Sequence, residues 1–433
     1  MKKLMRERAR RMVDVLSSTK GSNFRQNFLK VIKANLFAQG ISMLAAPLMT
    51  RLYTPADYGT ASVFSLILGV LGPLSTWKMD WSTPNAVSRS QAAATMLIGF
   101  VVLFILCVLI TAVLIIFPHD LVLFPAAHQI EPYVFLIPLA VLGSGLQQLL
   151  NGWYIRQNDL SAVSQSKITQ SLGSTAFNLS AGWAGLGAKG LIFGSLLTAW
   201  LGIGVLIKNT QHLQGSLARL TGRRIVQAYC RFSREATHSV MVALVNTLTL
   251  NLTPLLLANY YSATDYGFYA LMSRLAMLPS SLLASAIGQS FWSEAVRLVK
   301  ENREELRRLY LKTTLRLAGL AAGASVICLG GPFYVEPVFG SRWAGAGATL
   351  AAMTPWVFAQ FVVSPLSHLV VHRKQNWQLL WESCRFFLLA TVIGHGIYND
   401  LKINLVVLRV SLVMFSLYSA LFFMNLVSLR EKN

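Results

Sequence analysis

Charged residues are scarce in this chain: Asp, Glu, Lys and Arg make up 13% of its 433 residues, against roughly 25% in an ordinary soluble domain. Hydrophobic residues make up 54%. They fall in stretches of about 20 residues, the length that crosses a hydrocarbon core of about 30 Å. Because a water-soluble core could not bury such stretches, the composition excludes a soluble globular protein and predicts a polytopic membrane protein.

Cysteine and acidic residues are also few. Four widely spaced cysteines without a CxxC pair exclude a disulfide framework and a zinc site, so no metal is predicted. The carboxylates nearest to apolar stretches are Asp80, Glu131 and Glu382, and all three lie close to the ends of those stretches. No cofactor is predicted, and coupling of transport to H⁺ or Na⁺ is left open.

Basic residues are plentiful, and the net charge of +21 would suit a nucleic-acid partner. Their distribution argues against one, because they concentrate at the N-terminus and in a few loops, as the positive-inside rule expects. With the N-terminus inside, the outside loops hold four of the 38 Lys and Arg residues: Arg51, Lys189, Arg342 and Lys402. The charges therefore predict a multi-pass protein with both termini in the cytoplasm.

Apolar patterning predicts an all-α integral membrane protein with about twelve transmembrane helices in two six-helix bundles. The predicted spans are roughly 30–51, 60–77, 94–117, 132–155, 161–184, 188–207, 236–258, 267–290, 312–333, 344–370, 377–397 and 403–427. The predicted domains are a basic N-terminal segment (1–28), an N-terminal bundle (29–207), a basic cytoplasmic linker (208–235), a C-terminal bundle (236–427) and a tail (428–433).

A short internal repeat supports the two-bundle prediction. Tyr53-Thr-Pro-Ala-Asp57-Tyr58-Gly59 recurs as Tyr261-Ser-Ala-Thr-Asp265-Tyr266-Gly267, offset by 208 residues. Each copy lies in the outside loop between the first and second spans of its half. The halves are therefore expected to share one orientation, related by a pseudo-twofold axis along the membrane normal.

The chemistry of the repeated residues predicts a tight turn. Gly can take a positive φ, Asp can accept hydrogen bonds from nearby amides, and Tyr suits the membrane interface. A second interpretation is that the two copies take part in closing an outer gate. The residues concerned are Tyr53, Asp57, Tyr58, Gly59, Tyr261, Asp265, Tyr266 and Gly267.

The motif also carries a family resemblance. The run APLMTRLYTPADYG at 46–59 resembles the opening signature of the polysaccharide transporter (oligosaccharide flippase) family of the MOP superfamily. The runs YALMSRLAMLP at 269–279 and QSFWS at 289–293 are similar to that family's eighth span and its exit.

The resemblance implies two bundles around a V-shaped cavity that rock between inward- and outward-open states in a bacterial inner membrane. It also implies a flippase for undecaprenyl-diphosphate-linked units of O-antigen, capsule or exopolysaccharide. A polymerase and a chain-length regulator are the partners that it suggests.

A diphosphate headgroup crossing an apolar layer needs cations, and cations inside spans are costly unless they serve a pathway. Arg274 and Arg409 lie in spans without an acidic neighbour in sequence, and Lys167 lies in the most polar span. Arg385 has Glu382 three residues before it, so the two could instead neutralise each other. All four are candidate cavity residues, with snorkelling or structural pairing as the alternative.

Amides inside spans are candidates for binding sugars. Asn35 and Gln39 share one helix face at i,i+4, and that face is expected to avoid lipid. The remaining amide candidates are Asn151, Asn246 and Asn251. Hydrogen bonding between helices is the alternative role for each of them.

Two further functions stay open at this point. One is a MATE-like drug exporter or a peptidoglycan-precursor exporter on the same scaffold. The other is a membrane-embedded polysaccharide polymerase or ligase. An enzyme acting outside would need a sizeable outside loop with catalytic residues, whereas the predicted outside loops are short, so a transporter rather than an enzyme is expected.

Overall fold

The computed structural model describes residues 20–116, 125–157, 159–208, 211–217, 220–301, 303–367 and 375–430, and within these ranges it contains helices and no strand. Residues 1–19 of the predicted N-terminal segment and 431–433 of the predicted tail lie outside them. The helices of the first half are α1 (Lys20–Leu52), α2 (Pro55–Ser75), α3 (Met79–Asn85), α4 (Arg89–Ile116), α5 (Leu136–Arg156), α6 (Leu160–Trp183) and α7 (Ala188–Ile207).

The second half follows a short helix, α8 (Gln211–Leu217). Its helices are α9 (Gly222–Tyr260), α10 (Ala263–Glu301), α11 (Arg303–Leu329), α12 (Gly331–Phe339), α13 (Ala344–Ala352), α14 (Thr354–Val363), α15 (Gln375–Tyr398) and α16 (Ile403–Arg430). Three 3₁₀ segments complete the described structure: Pro125–Tyr133, Ser341–Trp343 and Ser364–Leu366.

Every predicted span falls on a helix, and the span predicted at 344–370 is a broken pair bent by 52° between α13 and α14. In the described part of the chain, six helices are long and apolar enough to cross a membrane, and the bent pair would make seven. The all-α, multi-pass prediction is therefore confirmed. The number of twelve membrane-crossing helices stays a prediction.

Helices α1, α5, α6, α10 and α15 do not pass that test, and they carry most of the predicted cavity residues. Polar side chains lower their hydropathy and must be kept from lipid. In the structure α1 packs along α6, and α10 packs along α2. These polar helices are therefore shielded by one another and by apolar helices.

Apolar side chains face outward on α4, α9, α11 and α16. On α4, for example, Phe104, Leu109 and Ile115 are 56%, 55% and 65% exposed. A soluble protein rarely leaves so continuous an apolar surface uncovered. The exposed apolar surface is what a helix in contact with lipid chains presents.

Corresponding helices pack in corresponding ways in the two halves. In the first half α1 packs on α6, α6 on α7 and α5 on α7; in the second, α9 packs on α15, α15 on α16 and α14 on α16. Helix α2 joins the halves through contacts with α9 and α10. A duplicated six-helix unit would produce this arrangement. The pseudo-twofold axis along the membrane normal stays a prediction.

The predicted linker at 208–235 differs in the structure. Helix α9 already begins at Gly222, so residues 222–235 are a helical extension of the seventh predicted span. Neither Gly nor Pro occurs between Arg223 and Thr253, and nothing in that run breaks a helix. The predicted span began at residue 236 because the residues before it are charged. Charged residues do not interrupt a helix that continues into water, so the helix begins earlier, at Gly222.

Candidate functional site

The two copies of the repeat lie at the same end of the molecule, which we call the motif end. The first copy is tied to its own half, because the Tyr53 hydroxyl donates to the Asn178 carbonyl oxygen at 2.6 Å. The second copy repeats this, with the Tyr261 hydroxyl donating to the Leu401 carbonyl oxygen at 2.8 Å. Burial, and secondarily Asp57, raises the pKa of Tyr53 to about 12, so this hydroxyl remains a donor even at alkaline pH.

Asp57 accepts hydrogen bonds with both carboxylate oxygens. One accepts from the Thr54 amide at 2.9 Å and closes a capping box at the start of α2, and the other accepts from the Ala188 amide at 2.8 Å, at the start of α7. In the second copy Asp265 accepts from the Ser262 hydroxyl at 2.8 Å. The expectation that Asp bonds nearby amides is thus met for Asp57.

The expectation of a positive φ at the motif glycines is wrong. Gly59 and Gly267 lie inside α2 and α10, and neither is among the glycines with positive φ. They allow close approach instead: a Cβ at Gly59 would lie 2.0 Å from the Ala263 carbonyl oxygen, and one at Gly267 would lie 1.8 Å from the Pro55 carbonyl oxygen. The two copies therefore touch each other reciprocally, backbone to backbone.

An aromatic cluster completes this contact between the halves. The Trp343 indole, fully buried, donates to the Thr50 carbonyl oxygen at 2.9 Å. Tyr58 meets the Trp343 ring edge-on with 5.2 Å between centroids, and Phe268 meets the same ring at 6.0 Å. Trp343 was not predicted from the sequence, because it stands outside the repeat, 76 residues beyond Gly267 in the chain. The short segment Ser341–Trp343 contains no pattern that indicates such a contact.

Arg274 lies beneath this closed contact. Its exposed side chain lines a small cavity between α1 and α6 of the first half and α10 of the second, whose lining residues include Tyr58, Ser42, Met49, Thr175, Asn178, Leu271 and Leu278. Eleven residues separate Arg274 from the start of α10, which places it about 16 Å from the motif end. The structure therefore places Arg274 in a cavity lining, and its role there stays a prediction.

A second polar site follows the contact between α1 and α6. The Lys167 ammonium group donates to the Asn35 side-chain oxygen at 3.0 Å. One turn along α1, the Gln39 side-chain oxygen is buried without a hydrogen-bond partner among the described residues. The Ser171 hydroxyl donates to the Ala38 carbonyl oxygen at 2.6 Å. Three predicted residues thus form one half-buried polar seam, about 24 Å from the motif end.

The other amides are more scattered. Asn251 donates to the Thr247 carbonyl oxygen of its own helix at 2.8 Å, and its side-chain oxygen faces α2 near Gly69. Asn151 is half-buried on α5, and in the described structure its side-chain oxygen has no hydrogen-bond partner. Asn246 is exposed on α9. None of these three contacts Arg274 or Lys167 in a described hydrogen bond.

Arg385 lies away from the cavity, inside the second half. It is 4% exposed and pairs with Glu382 at 2.9 Å, and its guanidinium lies 4.9 Å from the centre of the Trp381 ring. Of the two roles considered for Arg385, this geometry fits a structural pair with Glu382 rather than a cavity residue.

Arg409 also lies outside the cavity. Its guanidinium donates to Nδ1 of His395 at 3.1 Å, across the outer surface between α15 and α16.

Solved transporters of the MOP superfamily have the same fold as this chain. An inward-facing multidrug resistance MATE family transporter matches with a TM-score of 0.65 at 12% identity, covering 92% of this chain and 94% of its own. A MOP superfamily transporter from Pyrococcus furiosus matches with a TM-score of 0.62 at 12% identity, covering 94% and 97%. The fold is thus that of the MOP transporters.

Sequence comparison supplies the family. The model of the polysaccharide biosynthesis protein family matches residues 48–347, and the chain belongs to that family. The succinoglycan biosynthesis transport protein ExoT of Rhizobium meliloti (strain 1021) is 21% identical over 367 residues, which are 79% of this chain and 68% of that protein. The resemblance to a polysaccharide transporter family of the MOP superfamily is confirmed. These relatives are transporters, in agreement with the prediction of a transporter rather than an enzyme.

Proposed function

We propose that this protein is a flippase that carries undecaprenyl-diphosphate-linked oligosaccharide units from the cytoplasmic to the outer leaflet of a bacterial inner membrane. The observation that carries the proposal is the position of Arg274, between the two halves and directly beneath their closed contact at the motif end. Membership of a polysaccharide biosynthesis family and similarity to a succinoglycan transport protein support the substrate class.

The chemistry of the cavity suits a lipid-linked diphosphate. Arg274 can donate two parallel hydrogen bonds to a phosphate, and such charge-assisted bonds are stronger than neutral ones. Lys167 offers a second cation about 8 Å further from the motif end, estimated from the helical rise. Ser42, Thr175 and Asn178 line the same cavity as Arg274, and their side chains offer partners for sugar hydroxyls.

The contact at the motif end supports transport by alternating access. The positive-inside distribution puts that end outside, so the structure has its outer side closed by the reciprocal packing of Gly59 and Gly267 and by the Trp343 cluster. The same packing is then the outer gate. Parting of the two halves there would expose Arg274 to the outer leaflet and release the headgroup.

A MATE-like exporter is the second candidate, because MATE transporters share the fold. The two cations in the central region disfavour an organic cation as substrate, because like charges in a site of low dielectric repel each other strongly. The cavity therefore favours an anionic substrate over a cationic drug.

The test is an in-frame deletion complemented with single variants at native expression level. Loss of surface polysaccharide with accumulation of single lipid-linked units is expected for the deletion and for Arg274→Ala, with partial activity for Arg274→Lys. The matched control is Arg308→Ala, which removes an exposed arginine paired with Glu304 on α11 and should leave the polymer unchanged. Normal polymer in Arg274→Ala would refute the role of Arg274, and normal polymer with altered drug sensitivity in the deletion would favour the exporter.

A further inference from the structure

A cationic groove lies on the outer surface of the second half, outside the central cavity. It has a volume of about 450 Å³ and is lined by Thr391, Val392, His395, Arg409, Leu412 and Val413. Helices α15 and α16 form its two sides. No residue of the central cavity lines it, so it is a separate feature.

Arg409 and His395 form the polar part of this groove. Arg409 donates to Nδ1 of His395 at 3.1 Å, so Nδ1 is the acceptor and the proton of the neutral ring lies on Nε2. The Asn399 side-chain nitrogen lies 3.4 Å from Nε2, but an amide nitrogen cannot accept a hydrogen bond, so it does not use the Nε2 proton. The Asn399 amide donates to the His395 carbonyl oxygen at 2.7 Å and fixes the end of α15. Among the described residues Arg409 forms no ion pair, so its charge is not neutralised there.

The depth of the two residues matches a lipid headgroup. Arg409 follows the start of α16 by six residues, or about 9 Å, and His395 precedes the end of α15 by three, or about 4 Å. Side chains lean toward the N-terminus of their helix, which for α16 is the motif end, so the guanidinium rises toward that interface.

The apolar lining continues below the cation. Thr391 and Val392 lie one turn deeper on α15, and Leu412 and Val413 lie one turn deeper on α16. The groove therefore has a positive charge near the membrane interface and an apolar channel beneath it. This arrangement complements a phospholipid, whose phosphate lies at the interface and whose hydrocarbon chains lie below.

We propose that this groove binds the phosphate of an anionic phospholipid in the leaflet at the motif end, held by Arg409 and the Nε2–H of His395, with one acyl chain along Leu412 and Val413. The site goes beyond the proposed transport reaction and does not depend on it. Its role would be to fix the second half at that membrane interface.

The experiment titrates phosphatidylglycerol onto the purified full-length protein in detergent and measures the first bound lipid by native mass spectrometry, with phosphatidylcholine as the zwitterionic reference. Arg409→Ala is expected to weaken the first phosphatidylglycerol about tenfold, the effect of losing one charge-assisted hydrogen bond. Arg409→Lys should retain part of the affinity. Arg308→Ala, which removes an equal charge elsewhere, should not change it.

Leu412→Trp gives an independent test, because it fills the apolar channel and leaves the charge in place. It should weaken binding as well, with unchanged elution and melting of the protein. First-site affinity equal to the wild type in both Arg409→Ala and Leu412→Trp would overturn the site. Undecaprenyl diphosphate that displaces phosphatidylglycerol and binds more tightly would overturn the phospholipid assignment, whatever the outcome of the polysaccharide assay.

Discussion

Replacement of Gly59 by alanine should open the motif end. The new methyl group would lie 2.0 Å from the Ala263 carbonyl oxygen, where ordinary contact begins near 3.4 Å. The two backbones would have to part by about 1.4 Å, since neither can rotate away as a flexible side chain could. The clash exists only while the halves meet, so it raises the free energy of the closed state and leaves the open state unchanged.

The magnitude follows from measured costs of overpacking. One surplus methyl in a tightly packed contact costs about 1–3 kcal/mol. A change of that size shifts the ratio of open to closed molecules by a factor of roughly 5 to 150. Gly267→Ala, with 1.8 Å to the Pro55 carbonyl oxygen, should act in the same direction.

The assay is labelling of a cysteine in the cavity by an impermeant maleimide added outside intact cells. Ser174→Cys places the reporter in the cavity lining, with the exposed Cys230 and Cys384 replaced by serine. Faster labelling is expected in Gly59→Ala and Gly267→Ala.

The matched control is Gly72→Ala on the same helix, where an added Cβ meets no atom within 4 Å. That change should leave labelling as it is, and it removes a helix-destabilising glycine worth about 1 kcal/mol. Equal labelling rates in Gly59→Ala, Gly267→Ala and Gly72→Ala would refute the interpretation of the glycine contact as a gate.

Three further predictions concern the residues around the gate and the buried pairs. Trp343→Phe removes the hydrogen bond to Thr50 but keeps an aromatic ring against Tyr58, so the labelling rate of Ser174→Cys should rise roughly fivefold. Trp343→Ala should raise it further. An unchanged labelling rate in both variants would exclude Trp343 from the gate. Lys167→Met should lower surface polysaccharide while Lys167→Arg preserves it, and equal polymer in the two would show that the charge of Lys167 is not used. Arg385→Ala should lower the stability in detergent by about 3–5 kcal/mol, because it leaves the Glu382 carboxylate buried without its partner. The double variant Arg385→Met, Glu382→Leu should recover most of that loss in a thermal melt, and a double variant as unstable as the single one would contradict this explanation.

The fold could be predicted well from sequence because one physical constraint dominates it. A helix that crosses lipid is largely apolar and about 20 residues long. Each predicted span falls mainly on one helix, except the span at 344–370, which is a bent pair. The start of α9 was predicted wrongly, because it lies outside the membrane. There the thickness of the bilayer does not limit the length of a helix.

The candidate site could be predicted in part. Arg274, Lys167 and Asn35 were each singled out because polar groups are costly to bury in a span. The structure places Arg274 in a cavity between the halves, and it adds the hydrogen bond from Lys167 to Asn35, which was not predicted. The cost of burying a charge does not tell a cavity from a buried ion pair or a surface groove. Arg385 lies in a buried ion pair and Arg409 in a groove, and sequence alone could not separate them from Arg274.

The motif glycines show a different limit. Their spacing correctly marked a duplicated feature, but the reason for glycine is a contact between positions 59 and 263 and between 267 and 55. A contact between residues about 200 positions apart cannot be recognised from the sequence around either residue. The participation of Trp343 is hidden for the same reason.

The Asp57 carboxylate has a mechanical consequence. Both of its oxygens are used within the first half, by Thr54 and Ala188, so it stiffens that half and contributes no charged bond to the other. Across the motif end the halves meet through glycine backbone contacts, aromatic rings and the neutral hydrogen bond of Trp343. Among the described residues this contact contains no ion pair, so the halves can separate without breaking one, and water can replace the hydrogen bond of Trp343. In the proposed transport cycle, a few kcal/mol of binding energy from the substrate would then be enough to shift the population from the closed to the open state.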